Sequence, residues 1–282
     1  MGIATLFVGG GRFTCEGMKR WIPFVKTPAT VAIIRMSGVI GASGRGALND
    51  QSLAPLLEKA FKRGKPAAIA LEINSPGGSP VQSSLIGARI RRLAEEKNIP
   101  VLAFVEDVAA SGGYWLAAAA DEIYADESSI VGSIGVISAG FGAHEFLNRH
   151  GVERRVHTAG KSKSMMDPFK PETPEDIARL KGLLEQIHGN FIRHVQARRG
   201  AKLATETELF TGEIWVGHAA QELGLIDGIG HIMPVLKEKF GDDVRLQRYG
   251  VKRPFWQRFG ATVAQDAISG IEERAEFARF GL

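Results

Sequence analysis

Ser111 stands where a nucleophile or a helix cap is expected. Gly112 and Gly113 follow it, after a predicted strand and at the start of a predicted helix. A serine at such a point lies beside free backbone N–H groups and the positive end of the helix dipole, which can stabilise an oxyanion. The same position also suits an ordinary N-cap serine. The residues around Ser111 are therefore compatible with both interpretations.

A second glycine-bearing loop, Ser75–Gly78, follows another predicted core strand. Pro76 removes one backbone donor, and the two glycines leave others open to an anion. An ordinary turn between a strand and a helix has the same composition. Two such loops at the ends of two parallel strands, however, are the layout of a two-donor oxyanion hole. We expect the backbone N–H groups of Gly78 and Gly112 to be its donors.

The segment Gly160–Pro168 supplies two candidate bases, Lys161 and Lys163. A serine hydroxyl is a weak nucleophile until a base takes its proton. Lysine can be that base only when neutral, so its pKa, about 10.4 in water, has to be lowered by a desolvated setting. The neighbouring pair Met165-Met166 can supply some apolar cover. A solvated basic loop is the alternative interpretation of the same residues.

Strands alternate with helices along the first half of the chain, which predicts βαβ units and a mostly parallel sheet. In such a sheet the strand C-terminal ends share one edge, so both glycine-bearing loops are expected there. The apolar periodicity predicts core strands over 30–36, 67–74 and 101–105, a loop over 106–111, and short strands over 122–125 and 135–138. It also predicts helices over 49–63, 113–120, 174–199 and 232–240 and one that carries Ile86, Ile90 and Leu93.

Composition limits the function classes. The 282 residues carry a net charge of +4 and one cysteine, Cys15, so no intramolecular disulfide can form. We find no apolar run of about 18 residues that could span a membrane, and the N-terminus is a poor secretory signal. No metal-ligand spacing, phosphate-binding loop or nucleic-acid motif is present, so no metal, cofactor or nucleic acid is expected.

Five short motifs occur in a familiar order, and together they resemble the signal peptide peptidase A family of bacterial Ser–Lys peptidases over roughly residues 30–240. The motifs are Asn74–Gly78 (NSPGG), Ala110–Tyr114 (ASGGY), Val131–Val136 (VGSIGV), Gly160–Lys163 with Pro168-Phe169, and Ala220–Asp227 (AQELGLID). The resemblance implies a Clp/crotonase-like fold. It implies Ser111 as nucleophile, Lys163 as general base and Ser133 as the residue that orients the lysine, with Gly78 and Gly112 as the oxyanion donors. Lys161 remains the rival base.

The same resemblance implies a serine endopeptidase that degrades signal peptides or other small or unfolded polypeptides. Family members usually carry an N-terminal membrane anchor, whereas we expect none in this sequence. The expected location is therefore the cytoplasm or the periphery of the inner membrane of a bacterium. The short forms complete their sites across subunits, so a homo-oligomer is expected. We divide the chain into an irregular leader (1–28), a peptidase domain (29–250) and an amphipathic tail (251–282). The tail suits either an anionic membrane surface or packing on the protein body or on a neighbouring subunit.

Two other functions fit parts of the pattern. A crotonase-like acyl-CoA enzyme also uses two backbone N–H groups to hold an oxyanion, but it needs acidic residues and a CoA pocket and gives Lys163 no role. An inactive scaffold that binds peptides would keep the fold and lose the chemistry. The intact Ser111 and Lys163 argue against the scaffold.

Overall fold

The molecule is built around an eight-stranded sheet whose central strands are apolar runs buried on both faces. A computed structural model describes residues 28–42, 47–250 and 274–282. The central strands are β1 (Thr30–Ser37), β2 (Ala68–Ser75) and β3 (Val101–Ala110). Because nearly every side chain of β2 is buried, neither face of the sheet centre is open to water.

The sheet runs in the order β6-β5-β3-β2-β1-β8, and β4 pairs with the first half of β3 and with β7. All pairs are parallel except β5 with β6. The remaining strands are β4 (Glu122–Ala125), β5 (Ile130–Gly132), β6 (Ile214–Val216), β7 (Gly228–Ile229) and β8 (Arg245–Tyr249). The predicted α/β class with a mostly parallel, Clp/crotonase-like sheet is confirmed.

The helices cover both faces of this sheet. They are α1 (Asp50–Lys62), α2 (Pro80–Lys97), α3 (Gly112–Ala118), α4 (His144–Arg149), α5 (Pro174–Arg199), α6 (Gly217–Glu222) and α7 (Ile232–Phe240). Side chains of Asn49, Ser79 and Thr173 accept hydrogen bonds from the first turns of α1, α2 and α5. Helices α1, α2 and α3 pack on one face with the end of α5, and α7 packs on the other.

Two boundaries differ from the sequence prediction. Strand β3 continues to Ala110, so the predicted loop over 106–111 is wrong; the added residues pair with β5 through Val108↔Ile130. The predicted strand over 135–138 is also wrong. Gly132 (φ 105°) and Ser133 (φ 51°) turn the chain out of the sheet there.

The sequence prediction missed the short strands β5, β6 and β7 and the edge strand β8. Strand β8 pairs in parallel with β1, yet its sequence, RLQRY, is mostly polar. A strand at a sheet edge needs little apolar surface, which is why the periodicity did not reveal it.

The proposed domain boundaries stay a prediction. The leader and most of the tail, with Cys15, lie outside the described residues. Over the residues that are described, none of the helices combines the length and apolarity that crossing a bilayer would require.

A buried ion pair ties the end of α5 to the loop before β7. The side chain of Arg199 is 2% exposed, and it contacts Asp227 at 2.7 Å and the carbonyl oxygen of Gly224. Burial by itself raises the pKa of Asp227. Hydrogen bonds from Arg199, Lys202 and the Ile123 N–H outweigh that effect and hold this pKa below its ordinary value of 3.8.

We expect Asp227→Asn to lower the free energy of unfolding at pH 7 by about 3 kcal/mol, because Arg199 would keep a buried charge without its partner. The folded pKa of Asp227 is lowered, so its stabilisation is complete above pH 3.8 and is lost as the pH falls through the folded value. Urea unfolding should therefore show a smaller difference in the free energy of unfolding between wild type and variant near pH 3 than at pH 7.

The control is Glu96→Gln, which removes an exposed ion pair with Arg92 and should change the stability by less than about 0.5 kcal/mol. An equally small effect of Asp227→Asn would contradict the role given to this ion pair.

Candidate active site

Ser111 occupies a strained turn between β3 and α3. Its φ of 49° and ψ of −121° lie outside the regions that non-glycine residues ordinarily adopt. The Ser111 N–H donates to the carbonyl oxygen of Gly132 at 2.8 Å, which holds the turn against β5. Ser111 holds the N-cap position of α3, but its side chain makes no capping hydrogen bond to that helix. Backbone strain of this kind is concentrated at functional sites.

A cavity of about 570 Å³ opens at Ser111. Gly78, Gly112 and Ser133 line it together with Ser111, so four of the five predicted site residues share one space. Apolar residues form much of the remaining wall, among them Val39, Trp115, Val136, Ile187 and Phe191. The cavity therefore offers polar groups near the serine and apolar surface around it.

The two glycine-bearing loops touch through their backbones. A Cβ atom added to Gly77 would lie 2.8 Å from the Gly112 nitrogen and 2.8 Å from the Ser111 Cβ. A Cβ added to Gly113 would lie 2.3 Å from the Ser75 carbonyl oxygen. No side chain fits at either contact, so glycine allows the loops to meet.

The N–H groups of Gly78 and Gly112 remain available. Gly78 has a φ of 136° and lies beside Ile40, but the hydrogen bonds there come from the N–H groups of Ile40 and Ser79. Gly112 is the first residue of α3, where an N–H has no partner inside the helix. Over the residues that the structure describes, neither group has an acceptor. Two glycines with unpartnered N–H groups thus line the same cavity as Ser111.

Ser133 reaches the same cavity from the segment after β5. Its φ of 51° is left-handed, and its N–H donates to the Glu213 carbonyl oxygen at 2.6 Å. The Gly135 N–H donates to the Ser133 carbonyl oxygen at 2.9 Å. This tight turn presents the half-buried serine to the cavity.

Lys163 does not line the cavity of its own chain. It lies on an exposed turn, where its N–H donates to the Gly160 carbonyl oxygen at 3.2 Å. Within the described part of the chain, its amine makes no hydrogen bond or ion pair, and Lys161 is exposed in the same turn. The proposed nucleophile and the proposed base are therefore not brought together inside the cavity of one chain.

Two groups at the cavity were not anticipated from the sequence. His188 of α5 lines it and donates a hydrogen bond to the carbonyl oxygen of Ile134. Its sequence context is that of an ordinary helix residue, so no motif could have identified it. Glu276, Arg279 and Phe280, near the end of the chain, also line the cavity, so this part of the tail lies against the protein body.

Helix α3 is held at its other end by α5. Arg198 donates to the carbonyl oxygens of Ala118 and Ala120, and His194 donates from Nε2 to that of Trp115 at 3.0 Å. Burial lowers the pKa of His194, although its hydrogen bond to Trp115 acts in the opposite direction. These contacts fix the short helix that begins beside Ser111.

Comparison with known proteins identifies the family of the chain. The sequence profile described as "Peptidase family S49" matches residues 94–242, which include Ser111, Ser133 and Lys163. The chain belongs to peptidase family S49. It is 30% identical to the chloroplastic serine protease SPPA of Arabidopsis thaliana over 224 residues, 76% of this chain and 33% of that protein.

Other relatives of this S49 chain differ in length. A protein of Enterococcus faecium, provisionally named signal peptide peptidase SppA, is 29% identical over 96% of this chain and 84% of its own length. A Brucella melitensis protein named Na(+)/H(+) antiporter NhaA is 46% identical over 286 residues, 94% of this chain. The match spans only 39% of that Brucella protein.

The described residues of the S49 chain contain no cluster of three or more His, Cys, Asp or Glu side chains that could hold a metal ion.

Proposed function

We propose that this chain is a serine peptidase that cleaves peptide bonds with Ser111 as nucleophile and Lys163 as general base. The observation that carries the proposal is the strained Ser111, whose hydroxyl is free of the helix cap and stands in a cavity beside two free glycine N–H groups. Membership of peptidase family S49 supports the same chemistry.

The proposed reaction has two stages, acylation of Ser111 and hydrolysis of the acyl-enzyme. The neutral amine of Lys163 takes the proton of the Ser111 hydroxyl as its oxygen attacks the substrate carbonyl carbon. The negative charge moves to the carbonyl oxygen, which accepts hydrogen bonds from the N–H groups of Gly78 and Gly112. The lysine then gives its proton to the leaving amine, and water hydrolyses the acyl-enzyme by the same route. Ser133 orients the lysine, and Lys161 is the rival base.

We infer that a second copy of this chain completes the site. Residues 137–172, here called the arm, carry Lys163, and none of its residues is buried. Its exposed apolar side chains include Ile137, Phe141, Phe146, Val152 and Met166, and Phe141 is 95% exposed. Covering these side chains with another subunit removes apolar surface from water and can bring Lys163 to a neighbouring Ser111.

The apolar wall of the cavity favours peptides with apolar or small side chains beside the cut, so signal peptides and unfolded segments are the proposed substrates. The name of the Enterococcus relative agrees with that substrate class. Contact of the tail with a membrane surface stays a prediction, because residues 251–273 lie outside the described part. Bacterial cytoplasm or the periphery of the inner membrane is the proposed location.

A digest of a fluorogenic peptide library tests the proposed function. Wild type should cleave the library and favour apolar or small residues beside the cut, and it should not turn over acyl-CoA esters. Turnover of acyl-CoA esters without peptide cleavage would instead support the crotonase-like enzyme. Absence of both activities, with no labelling of Ser111 by a fluorophosphonate, would support the peptide-binding scaffold.

Gly78 offers a test of the oxyanion hole. A Cβ atom at this position would lie 2.0 Å from the carbonyl oxygen of Ile40, so Gly78→Ala must displace the loop and its N–H. We expect peptide cleavage to fall about 10²-fold, as when one oxyanion donor is removed. The measurement is kcat/KM for a fluorogenic peptide.

The matched control is Gly64→Ala. Gly64 also has a positive φ, 77°, but an added Cβ would meet no atom within 4 Å, and the residue does not line the cavity. The Gly64→Ala variant should lose some stability and should cleave the peptide at the wild-type rate. If Gly78→Ala cleaved the peptide at the wild-type rate, the Gly78 N–H would not be a donor to the oxyanion.

A further inference from the structure

A hydrogen bond from His188 joins helix α5 to the part of the cavity wall that carries Ser133. His188 is half-buried, and its Nε2–H donates a 3.0 Å hydrogen bond to the carbonyl oxygen of Ile134. Ile134 is fully buried and follows Ser133 in the chain. The hydrogen bond therefore joins a long helix to the backbone next to Ser133.

Ser133 needs such support because its backbone is left-handed. This conformation costs a non-glycine residue about 1–2 kcal/mol, and it persists only where the surroundings hold it. The hydrogen bonds to Glu213 and from Gly135 join Ser133 to irregular or edge backbone. The contact of His188 instead reaches helix α5, which is 26 residues long and packs on α3. Of these three hydrogen bonds, that of His188 ties the turn to the most extended element.

We propose that His188 is a positioning residue, which holds the turn at Ser133 so that the serine hydroxyl is aimed into the cavity. The inference rests on the proposed function, in which Ser133 orients the lysine. His188 acts here through its N–H donor and the backbone of Ile134. A side chain that keeps an N–H at the same reach should therefore replace it.

The substitutions follow from this role. His188→Gln keeps an N–H donor at the same number of bonds from Cβ, whereas His188→Met has a similar length and no donor. His188→Asn is the second variant without the hydrogen bond, because its shorter amide does not reach Ile134. Thermal unfolding of each variant would check that the fold is retained.

The readout is the rate at which a small fluorophosphonate labels Ser111. Such a probe fills little of the cavity, so it reports the reactivity of the serine rather than contacts with a long substrate. We expect His188→Met and His188→Asn to label about tenfold more slowly, as for the loss of one hydrogen bond. His188→Gln should stay within about threefold of wild type, since its donor is kept. Labelling of His188→Met at the wild-type rate would overturn the inference.

A double-mutant cycle with Ser133→Ala separates positioning from any other role. If His188 acts through Ser133, adding His188→Met to Ser133→Ala should slow the labelling no further. If the reductions in labelling rate caused by His188→Met and Ser133→Ala multiplied in the double variant, the inference would be overturned. The control is His194→Met, on the same helix, whose hydrogen bond goes to Trp115 in α3. Its effect should multiply with that of Ser133→Ala.

The labelling experiment distinguishes failure of the proposed function from failure of the role given to His188. If wild type is not labelled at Ser111, the proposed function is wrong and the inference falls with it. If wild type is labelled and Ser111→Ala is not, while His188→Met equals wild type, only the role of His188 is wrong.

Discussion

Ser111→Ala is expected to lower peptide cleavage by about 10⁴-fold or more, because the attacking oxygen is removed. The fold should be retained, since the Ser111 side chain makes no capping hydrogen bond and its removal leaves α3 unchanged. The measurement is kcat/KM for a fluorogenic peptide, with circular dichroism to confirm the fold.

The control for this substitution is Ser84→Ala, an exposed serine in α2 that lies outside the cavity. It should cleave at the wild-type rate. If Ser111→Ala retained more than about a tenth of wild-type cleavage, against the loss expected for a nucleophile, Ser111 would not be the nucleophile.

Lys163→Ala is expected to lower cleavage by about 10³-fold, within the range for removal of a general base. Lys161→Ala is its matched control, because the two lysines share one exposed turn. It should keep its activity. The reverse result would identify Lys161 as the base, and near-wild-type activity of both variants would exclude this turn from the catalysis.

Mixing the inactive variants tests whether two subunits share one site. In an assembly of Ser111→Ala and Lys163→Ala chains, the intact lysine of one chain can meet the intact serine of the other. Activity should therefore return after the two are unfolded and refolded together. If the co-refolded mixture assembles and stays inactive, the base acts within its own chain.

The sequence predicts the sheet edge that carries Ser111 better than it predicts the arm. Strands β1 and β2 are continuous apolar runs, and the glycines after β2 and Ser111 allow contacts that no side chain would permit. Such local features can be recognised from the residue type at each position. The end of β3 was harder to predict, because residues 106–110 are held by pairing with β5, which is distant in the chain.

The positions of Lys163 and His188 depend on packing that a single sequence does not reveal. An exposed lysine and a catalytic lysine can have the same local sequence, and in the proposed assembly the groups that would desolvate the amine belong to a second copy of the chain. The hydrogen bond between His188 and Ile134 joins residues 54 positions apart. Long-range contacts of this kind leave no periodic signal in the chain.

The most direct test of the account is an experimental structure of the assembled protein. It would give the distance from the Ser111 Oγ atom to the nearest Lys163 Nζ atom, within or between subunits. We expect a hydrogen bond between these two atoms, at a separation of about 3 Å. A separation beyond about 6 Å at every site, with Ser111 intact and the cavity empty, would contradict direct proton transfer between the two groups.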